Sequence, residues 1–580
     1  MIQRVARCIR EYKWAALLSP LTMVGEVTME VLIPLVMAGL YDYGVARQDL
    51  PVIAGRSALL VVCALLSLAF GVGSAVFAAK AATGFAKNLR HDMFYNVQRF
   101  GFSNIDKFSA SSIVTRLTSD VANLQMTFQM LIRMAVRCPM MLILAYIMAH
   151  RISPELSRVY LVTIPLLAIA LGCLVPMVFR IFDRGFKMID NLNNVVQENI
   201  HGIRVVKSFV REDYEVEKFT DSSGALAKNF IKAEHILALN SPIMMACVYG
   251  CMLAISWFGA QMVIASGNNP MVGLTTGQLS SMFTYTMQVL MGLMQLSMVF
   301  VMMVIARTPL RRCAELLAEE PDLTSPEGAV KEVPDGSVDF ENVSFRYSAT
   351  AKHRALKEVT LHIPSGATVG ILGATGSAKS TLVQLIPRLY DVTEGTLKVG
   401  GIDVRQYDLE TLRDNVSMVL QKNTLFSGTI AENLRWGNPE ATNEELVHAC
   451  RLACAHDFIM AFPEGYDHKI EQGGTNVSGG QKQRLCIARA LLKKPKVLIL
   501  ADSTSAVDTA TDAAIRKAFR EEIPNTTKLI IAQRIASVQE SDLIVLMENG
   551  QVGAVGTHEE LMETSPVYQE IYHSQQKGGL

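Results

Sequence analysis

The sequence has no excess charge of either sign, because 54 Lys and Arg residues are balanced by 54 Asp and Glu residues in a chain of 580. Bulk charge therefore gives no reason to expect a nucleic acid or an acidic partner. The basic, amphipathic start of the chain, with Ile2, Val5 and Ile9 on one helical face, is unlike a cleaved signal peptide. We expect it to lie on a membrane surface instead.

A cysteine framework is also missing. The ten cysteines are scattered, and the pairs Cys247/Cys251 and Cys450/Cys454 have helical spacing without a histidine cluster beside them. This pattern gives no support to a secreted disulfide scaffold. Zinc binding is an alternative, but small apolar core or lipid-facing side chains explain both pairs more simply.

Long apolar runs are what the sequence does contain. Half of the residues are hydrophobic and the mean hydropathy is +0.26, which is high for a wholly soluble protein. The apolar runs end near residue 305, and the chain after about residue 335 has the pattern of a soluble α/β domain. Six runs are long enough to cross about 30 Å of hydrocarbon. They lie near 15–41, 56–80, 129–150, 156–179, 241–265 and 275–305.

The basic residues set the orientation of these spans. Lys and Arg are frequent at the N-terminus, in 80–128 and in 180–235, whereas the loop Ser266–Gly273 carries no charge. The positive-inside bias then predicts that both termini lie in the cytoplasm. We expect a multi-pass protein of the plasma membrane. The polar segments 109–121 and 197–213 are expected to project into the cytoplasm as helical arms.

Two features inside the spans are candidates for substrate contact. Glu26 and Glu30 lie one helical turn apart in the first span, and intramembrane carboxylates are functional by default. They could attract a cationic substrate; alternatively, they hydrogen-bond across helices or line a water-filled vestibule. Methionines that include Met291 and Met298 recur at helical spacing in the sixth span. They suit a promiscuous binding wall, and a packed or lipid-facing stripe is the alternative.

The soluble part is organised around one loop between a predicted strand and a predicted helix. It reads Gly373-Ala374-Thr375-Gly376-Ser377-Ala378-Lys379-Ser380-Thr381. Backbone N–H groups of such a loop surround phosphate, while Lys379 reaches the β- and γ-phosphates of ATP and Ser380 binds Mg²⁺. The pattern G-x-x-x-x-G-K-[ST] is broken at Ala378, where a glycine is expected.

Further motifs follow in a fixed order. Gln421 comes after an apolar run, and Asn476–Arg484 reads N-V-S-G-G-Q-K-Q-R. Together with the loop and the two arms, these motifs closely resemble the ATP-binding-cassette (ABC) exporters over nearly the whole chain.

The resemblance implies both the fold class and the domain organisation. An α-helical membrane domain of six spans would occupy 1–320, and a linker would occupy 321–336. An α/β P-loop nucleotide-binding domain with an antiparallel β subdomain would occupy 337–580. A short transverse helix in each arm would dock on the nucleotide-binding domains.

The resemblance also implies roles for single residues. Tyr347, at the end of the strand that opens the soluble domain, would stack on adenine, although a tyrosine there is often only a packing residue. Gln421 would contact Mg²⁺. The signature motif would cap a γ-phosphate that the opposite subunit presents. Its residues are Ser478, Gly479, Gly480 and Gln481.

The hydrolytic positions depart from the family. Counting back from Asp508 places the metal-linked aspartate on Ala501 and the catalytic glutamate on Asp502. Another alignment makes Asp502 the metal-linked acid and leaves Ser503 at the glutamate position. Gln533 stands where the family has a histidine, and its amide cannot carry the imidazole's charge or proton.

Asp and Gln at these two positions are typical of the degenerate half of heterodimeric exporters, which binds ATP but hydrolyses it slowly. Ala378 and Ala501 lie outside that pattern, and natural decay and deliberate inactivation would each explain them. We therefore predict a heterodimeric exporter subunit that uses ATP and Mg²⁺ and whose partner half-transporter carries the consensus Glu and His. Membrane lipids and a small amphipathic substrate are expected to bind, but no nucleic acid. The alternatives are a homodimeric lipid or peptide exporter and an ATP-gated regulator that transports nothing.

Overall fold

A computed structural model describes residues 2–269, 271–348, 351, 353–501 and 508–577. The chain divides into two compact units. The first comprises Met1–Gln98 and Ala110–Glu319, and the second comprises Arg99–Ser109 and Glu320–Leu580. The domain boundaries predicted above stay a prediction.

The first unit is helical because its apolar runs must satisfy their backbone polar groups internally when they cross a membrane. Among the described residues, six helical stretches are long and apolar enough to do so, which confirms the predicted six-span membrane domain. These stretches are Ile2–Val45, Leu50–Gln98, Ala110–Ile152, Pro154–His201, Glu212–Ser266 and Thr276–Ala318. The α-helices before residue 320 are α1 (Ile2–Ala6), α2 (Lys13–Gly39), α3 (Leu50–Gln98), α4 (Phe102–Phe108), α5 (Ala110–Thr115), α6 (Val121–Ile152), α7 (Pro154–His201), α8 (Ile203–Ser208), α9 (Glu212–Ala238), α10 (Asn240–Ser266) and α11 (Thr276–Ala318).

Capping residues mark where several of these helices begin and end. Ser153 caps α7 by accepting a hydrogen bond from the Leu156 N–H, and Pro154 follows at the first helical position. Gly267 ends α10 in the left-handed conformation, with φ of 60°. Thr275 and Gln278 form a reciprocal capping box at the start of α11. The short connections between these helices therefore have a defined geometry.

The helices are longer than the predicted spans. The 49 residues of α3 extend about 73 Å at 1.5 Å per residue, more than twice the thickness of the hydrocarbon core. The polar segment 109–121 continues into α6 through the wider turns of Arg116–Asp120. The segment 197–213 contains the end of α7, the short helix α8 and the start of α9. Both polar segments are therefore helical.

The second unit is built on two main sheets. The strands are β1 (Val338–Phe345), β2 (Leu356–Ile363), β3 (Thr368–Leu372), β4 (Glu394–Val399), β5 (Ile402–Asp403), β6 (Val416–Val419), β7 (Gly428–Thr429), β8 (Lys469–Ile470), β9 (Val497–Ala501), β10 (Thr527–Ile531), β11 (Leu543–Glu548) and β12 (Gln551–Gly556). An antiparallel sheet has the order β2-β1-β4-β5. The larger sheet has the order β12-β11-β3-β10-β9-β6, and its described pairs are parallel except β11 with β12. This arrangement confirms the predicted α/β fold class.

The parallel strands at the centre of the larger sheet are buried on both faces, as parallel strands usually are. In β9 the side chains of Val497, Ile499 and Ala501 enter one apolar core, whereas Leu498 and Leu500 enter the other. The helices around the sheets are α12 (Lys379–Leu385), α13 (Leu409–Asn415), α14 (Ile430–Arg435), α15 (Asn443–Leu452), α16 (His456–Met460), α17 (Gly479–Leu491), α18 (Thr509–Glu522), α19 (His558–Thr564) and α20 (Pro566–Lys577).

Candidate nucleotide-binding site

The loop from Gly373 to Ala378 connects β3 to α12 as the sequence predicted. Gly373 has a φ of 146°, and a Cβ there would collide with the backbone oxygen of Met547. Gly376 has a φ of 86° and open space beside it. Ala378 has φ 71° and ψ 22°, a left-handed conformation that costs an L-residue about 1–2 kcal/mol. A glycine would adopt this conformation freely, so Ala378 is strained at the point where the loop enters the helix.

Two polar side chains of the loop, those of Lys379 and Ser380, are at least partly exposed. The Lys379 amine donates hydrogen bonds to the carbonyl oxygens of Gly373, at 2.8 Å, and Ala374, at 2.9 Å. Ser380 is exposed, whereas Ser377 and Thr381 are buried. Lys379 and Ser380 are therefore neighbours at the surface of the loop, which fits a polyphosphate together with a divalent cation. The loop residues are therefore suited to bind a polyphosphate and a divalent cation, except for Ala378, which replaces the expected glycine.

Tyr347 lies beside this loop. Its hydroxyl is 2.9 Å from the Thr381 hydroxyl, and its ring packs edge-on against Phe345 and Tyr390 at centroid distances of 4.9 and 5.2 Å. The side chain is nevertheless 48% exposed. These contacts hold an aromatic ring at the edge of the loop with part of its surface open to a planar ligand.

Tyr390 connects Tyr347 to α4, which belongs to the second unit although it directly follows α3 in the chain. Its hydroxyl donates to the Asp106 carboxylate at 2.8 Å, and its ring lies 6.0 Å from that of Phe102. Burial and the nearby Asp106 raise the pKa of Tyr390 above its usual range, so its hydroxyl keeps its proton. The nucleotide loop and α4 are thus linked through two tyrosines.

The other predicted nucleotide contacts follow neighbouring parallel strands. In the sheet, Ile371 pairs with Ile531, and Ile531 pairs with Ala501, so β3, β10 and β9 end at the same edge. Ligands of such sheets bind beyond the carboxyl ends of the strands. Gln533 follows β10 and Gln421 follows β6, and both are exposed. Asp502 and Ser503 lie outside the described residues.

Ala501 is the last residue of β9 and is only 4% exposed. Its methyl group belongs to the apolar core beneath the loop. Asp508 caps α18 by accepting a hydrogen bond from the Thr511 N–H at 2.9 Å, and this bond lowers the pKa of its carboxyl. The end of β9 therefore presents an apolar side chain, and this is the position that counting back from Asp508 predicts for the metal-linked aspartate.

The segment after β10 is held by a residue that the sequence did not single out. Gln575 in α20 donates to the Gln533 carbonyl oxygen at 2.8 Å and accepts from the Ile535 N–H at 2.9 Å. These bonds fix the backbone on both sides of Arg534. Gln575 lies 42 positions after Gln533 and belongs to no recognised motif, so no pattern in the sequence indicates this contact.

The signature segment forms an open helix N-terminus. Ser478 and Gln481 make a reciprocal capping box: Ser478 Oγ accepts from the Gln481 N–H at 3.3 Å, and Gln481 Oε1 accepts from the Ser478 N–H at 2.9 Å. The helix α17 that follows has 13 residues. Ser478 and Gly479 are exposed, and Gly480 is partly exposed. The positive end of this helix is therefore accessible to an anion from outside the unit.

The described side chains of the second unit and of the membrane helices offer little to a metal ion on their own. Among the described residues no group of three His, Cys, Asp or Glu side chains has a geometry suited to a metal ion. The cysteines are free thiols, and burial raises the pKa of Cys450 to about 12. A protonated thiol of this kind is a poor metal ligand. Mg²⁺ in a phosphate loop is held instead by a hydroxyl, such as that of Ser380, together with phosphate oxygens.

In the membrane unit Glu26 and Glu30 share one cationic partner. Arg137 of α6 lies 2.5 Å from Glu26 and 2.8 Å from Glu30, both on α2. This is the cross-helix interaction that the sequence left as an alternative, and the substrate role of the two acids stays a prediction. An arginine in an apolar span indicates that it has an acidic partner, but its position in the sequence does not identify which acid that is. Met291 and Met298 are exposed on α11.

Replacing Arg137 by Met is expected to lower the free energy of unfolding by about 3 kcal/mol or more, because it leaves two carboxylates without their counter-charge. Thermal unfolding in detergent measures the change. The matched control adds Glu26→Gln and Glu30→Gln to the same variant and is expected to recover most of the loss. Equal destabilisation of both variants would show that Arg137 contributes packing rather than charge pairing.

Comparisons with known proteins agree with this architecture. A family model described as ABC transporter transmembrane region matches residues 17–305, and one described as ABC transporter matches residues 356–505. The chain is 34% identical over 574 residues to the uncharacterized ABC transporter ATP-binding protein YfiB of Bacillus subtilis, covering 99% of this chain and 98% of that one. A second uncharacterized ABC transporter ATP-binding protein, from Mycobacterium tuberculosis, is 33% identical over 573 residues, covering 98% and 97%. The mitochondrial potassium channel ATP-binding subunit of Xenopus tropicalis is 31% identical over 519 residues, covering 89% and 73%.

Proposed function

Because the chain belongs to the ABC transporter family, with a transmembrane region fused to an ATP-binding domain, we propose that it is one subunit of a heterodimeric, ATP-driven exporter. Its cargo would be drugs, lipids or other amphipathic compounds taken from the cytoplasm or the inner leaflet. One observation carries the proposal: the chain combines an altered hydrolytic site with an intact and exposed signature helix.

Nucleotide binding is assigned to the residues around the phosphate loop. Tyr347 stacks on adenine, the Lys379 amine neutralises the β- and γ-phosphates, and Ser380 and Gln421 orient Mg²⁺. The remaining loop residues form the cradle. They are Gly373, Thr375, Gly376, Ser377, Ala378 and Thr381. Bound Mg-ATP supplies the phosphoanhydride bond whose hydrolysis drives ABC transporters.

Hydrolysis at this chain's own site is expected to be slow. Ala378 adds a methyl group and backbone strain where the loop approaches phosphate, and Ala501 offers no carboxylate to the metal. Asp502 is one methylene shorter than the family's glutamate, so it orients attacking water poorly. Gln533 donates a hydrogen bond but cannot carry a positive charge beside the γ-phosphate.

The signature helix serves the other site of the pair. Ser478 and Gln481 cap the start of α17, and Gly479 and Gly480 present their backbone N–H groups and the positive end of the helix at its surface. A γ-phosphate presented by a partner subunit would complete the site. The proposed partner is a half-transporter that carries the consensus Glu and His, so hydrolysis takes place on the partner's nucleotide. Both subunits would lie in the plasma membrane with their termini in the cytoplasm.

The test compares the ATPase activity of the purified chain alone with that of the chain assembled with a consensus-bearing half-transporter. The pair is expected to hydrolyse ATP about 100-fold faster or more, because only the partner's nucleotide site holds the water-positioning groups. A partner whose own catalytic Glu is replaced by Gln is the control. Robust activity of the homodimer would reject the heterodimer and favour a homodimeric lipid or peptide exporter.

A second candidate function is an ATP-gated regulator that moves no substrate. The similarity to a protein named mitochondrial potassium channel ATP-binding subunit supports this candidate. Such a regulator would change conformation with nucleotide in reconstituted vesicles without any vectorial movement of a fluorescent amphiphile. ATP-dependent accumulation of the amphiphile would exclude this candidate.

A further inference from the structure

A cavity of about 70 Å³ lies beneath α18 in the second unit, away from the phosphate loop. It is lined by the start of β10, by α18 and by the segment from Ser537 to Asp542. Lys528 lies in this cavity and is only 3% exposed. It occupies the second position of β10, on the same face as Ile530, where a strand buried between two layers normally carries an apolar residue.

The burial of Lys528 has a cost that its described neighbours do not offset. In the described part of the chain its amine has no ion pair within 4 Å, and its one hydrogen bond reaches the Pro524 carbonyl oxygen at 3.5 Å. Burial lowers the pKa of Lys528, with Asp542 acting in the opposite direction. A buried ammonium group needs partners, and two of its three hydrogens are unused.

A second donor at the cavity is also unsatisfied. Arg516 of α18 donates to the carbonyl oxygens of Ala536 and Ser537 at 3.2 and 3.1 Å and pairs with Asp512 at 3.0 Å. Within the described residues its Nε atom is buried and has no partner. The Nε–H group of Arg516 is therefore left for a ligand in the cavity.

The acids around the cavity already have donors. Asp542 accepts from the Thr368 N–H at 2.7 Å, and Glu540 pairs with Arg520 at 2.7 Å in an exposed position. Three cationic side chains line the cavity against these two acids, because Arg516 and Lys528 join Arg520. The lining side chains therefore carry one more positive than negative charge, while Asp512, which is not part of the lining, pairs with Arg516.

We propose that this cavity is a binding site for a small tetrahedral oxyanion such as inorganic phosphate. The Lys528 amine and the Arg516 Nε–H donate charge-assisted hydrogen bonds, and the hydroxyls of Ser537 and Ser541 on the cavity wall add neutral ones. One water molecule needs about 10–15 Å³ of such space. A cavity of about 70 Å³ therefore has room for several non-hydrogen atoms, such as the five of a phosphate ion.

The site would also fix the segment that carries Gln533. Ser537 ends the single turn of 3₁₀ helix that begins at Ile535, and Arg516 already holds its carbonyl oxygen. An oxyanion bound to Arg516 and Ser537 ties this turn to α18. Occupancy of the cavity is therefore expected to order the backbone after β10, independently of which substrate the transporter moves.

The test measures the melting temperature of the full-length chain in detergent as phosphate is increased, with chloride at matched ionic strength as reference. Every variant also carries Lys379→Ala, so that phosphate bound at the nucleotide loop does not contribute. Phosphate is expected to stabilise this protein more than chloride does. Adding Lys528→Met is expected to weaken the apparent affinity about 10- to 100-fold, since it removes a charge-assisted hydrogen bond.

Lys398→Met is the matched control, because this lysine lies in the antiparallel sheet and pairs with Glu341. This substitution is expected to leave unchanged the midpoint, that is, the phosphate concentration that gives half of the stabilisation. If Lys528→Met does not fold, Ser541→Ala replaces it and is expected to weaken affinity about 2- to 10-fold. Stabilisation by phosphate no greater than by chloride would overturn the proposal. A midpoint that is the same with and without the cavity substitution would also overturn it.

Discussion

Replacing Gly479 by Asp is expected to abolish the ATPase activity of the assembled heterodimer, with a loss of about 100- to 1,000-fold. The substitution places a carboxylate at the first residue of α17, where the positive helix end would face the partner's γ-phosphate. The new charge would repel the phosphate and occupy the N–H groups that should bind it. The steady-state release of phosphate by the purified pair measures the effect.

Lys379→Ala in the same chain is the matched control for this experiment. It removes the cation of this chain's own phosphate loop, which is proposed to contribute little to turnover, so a much smaller loss is expected. Gly479 is exposed, and the melting temperature of the variant should stay close to that of the parent. If Lys379→Ala were as damaging as Gly479→Asp, the two nucleotide sites would contribute alike and the proposed asymmetry would be wrong.

Restoring the consensus at four positions is expected to raise the ATPase activity of the chain alone by about 100-fold or more. The changes are Ala378→Gly, Ala501→Asp, Asp502→Glu and Gln533→His. The first removes the strain of a left-handed alanine, the second supplies a metal ligand, and the last two restore the positioning of water and γ-phosphate. Turnover at saturating Mg-ATP is the measurement.

The same fourfold variant with Lys379→Ala should remain inactive, which would show that any gain arises at this phosphate loop. Nucleotide binding is followed in parallel with a fluorescent ATP analogue. A fourfold variant that binds nucleotide well but turns over no faster than its parent would contradict the assignment of the defect to these positions. The block would then lie in dimer assembly or in the membrane unit.

The motif-bearing elements could be predicted from sequence because their signals are local. A span is recognised by its own apolar length, and the phosphate loop by glycines and a lysine at fixed offsets between a strand and a helix. The departure at Ala378 was also visible, and its left-handed φ of 71° is what the missing glycine implies. The strands around the loop were readable for the same reason, since each is a short, buried apolar run.

Contacts between distant elements could not be predicted in this way. The pairing of Arg137 with Glu26 and Glu30 joins residues more than 100 positions apart. The contact of Tyr390 with Asp106 spans 284 positions and assigns α4 to the unit that follows it much later in the chain. No periodic pattern in the sequence indicates either contact, because both contacts depend on how helices and sheets pack and not on local backbone preference.

The sequence by itself determined that six spans precede an ATP-binding domain and that one phosphate loop departs from its family, because these properties depend on residue types at short range. Only the tertiary structure decided which charges have partners. It pairs the two intramembrane acids with Arg137, and it buries Lys528 beneath α18 with little to satisfy its amine. A charge becomes costly or functional only when packing removes its water, and packing is a property of the whole fold.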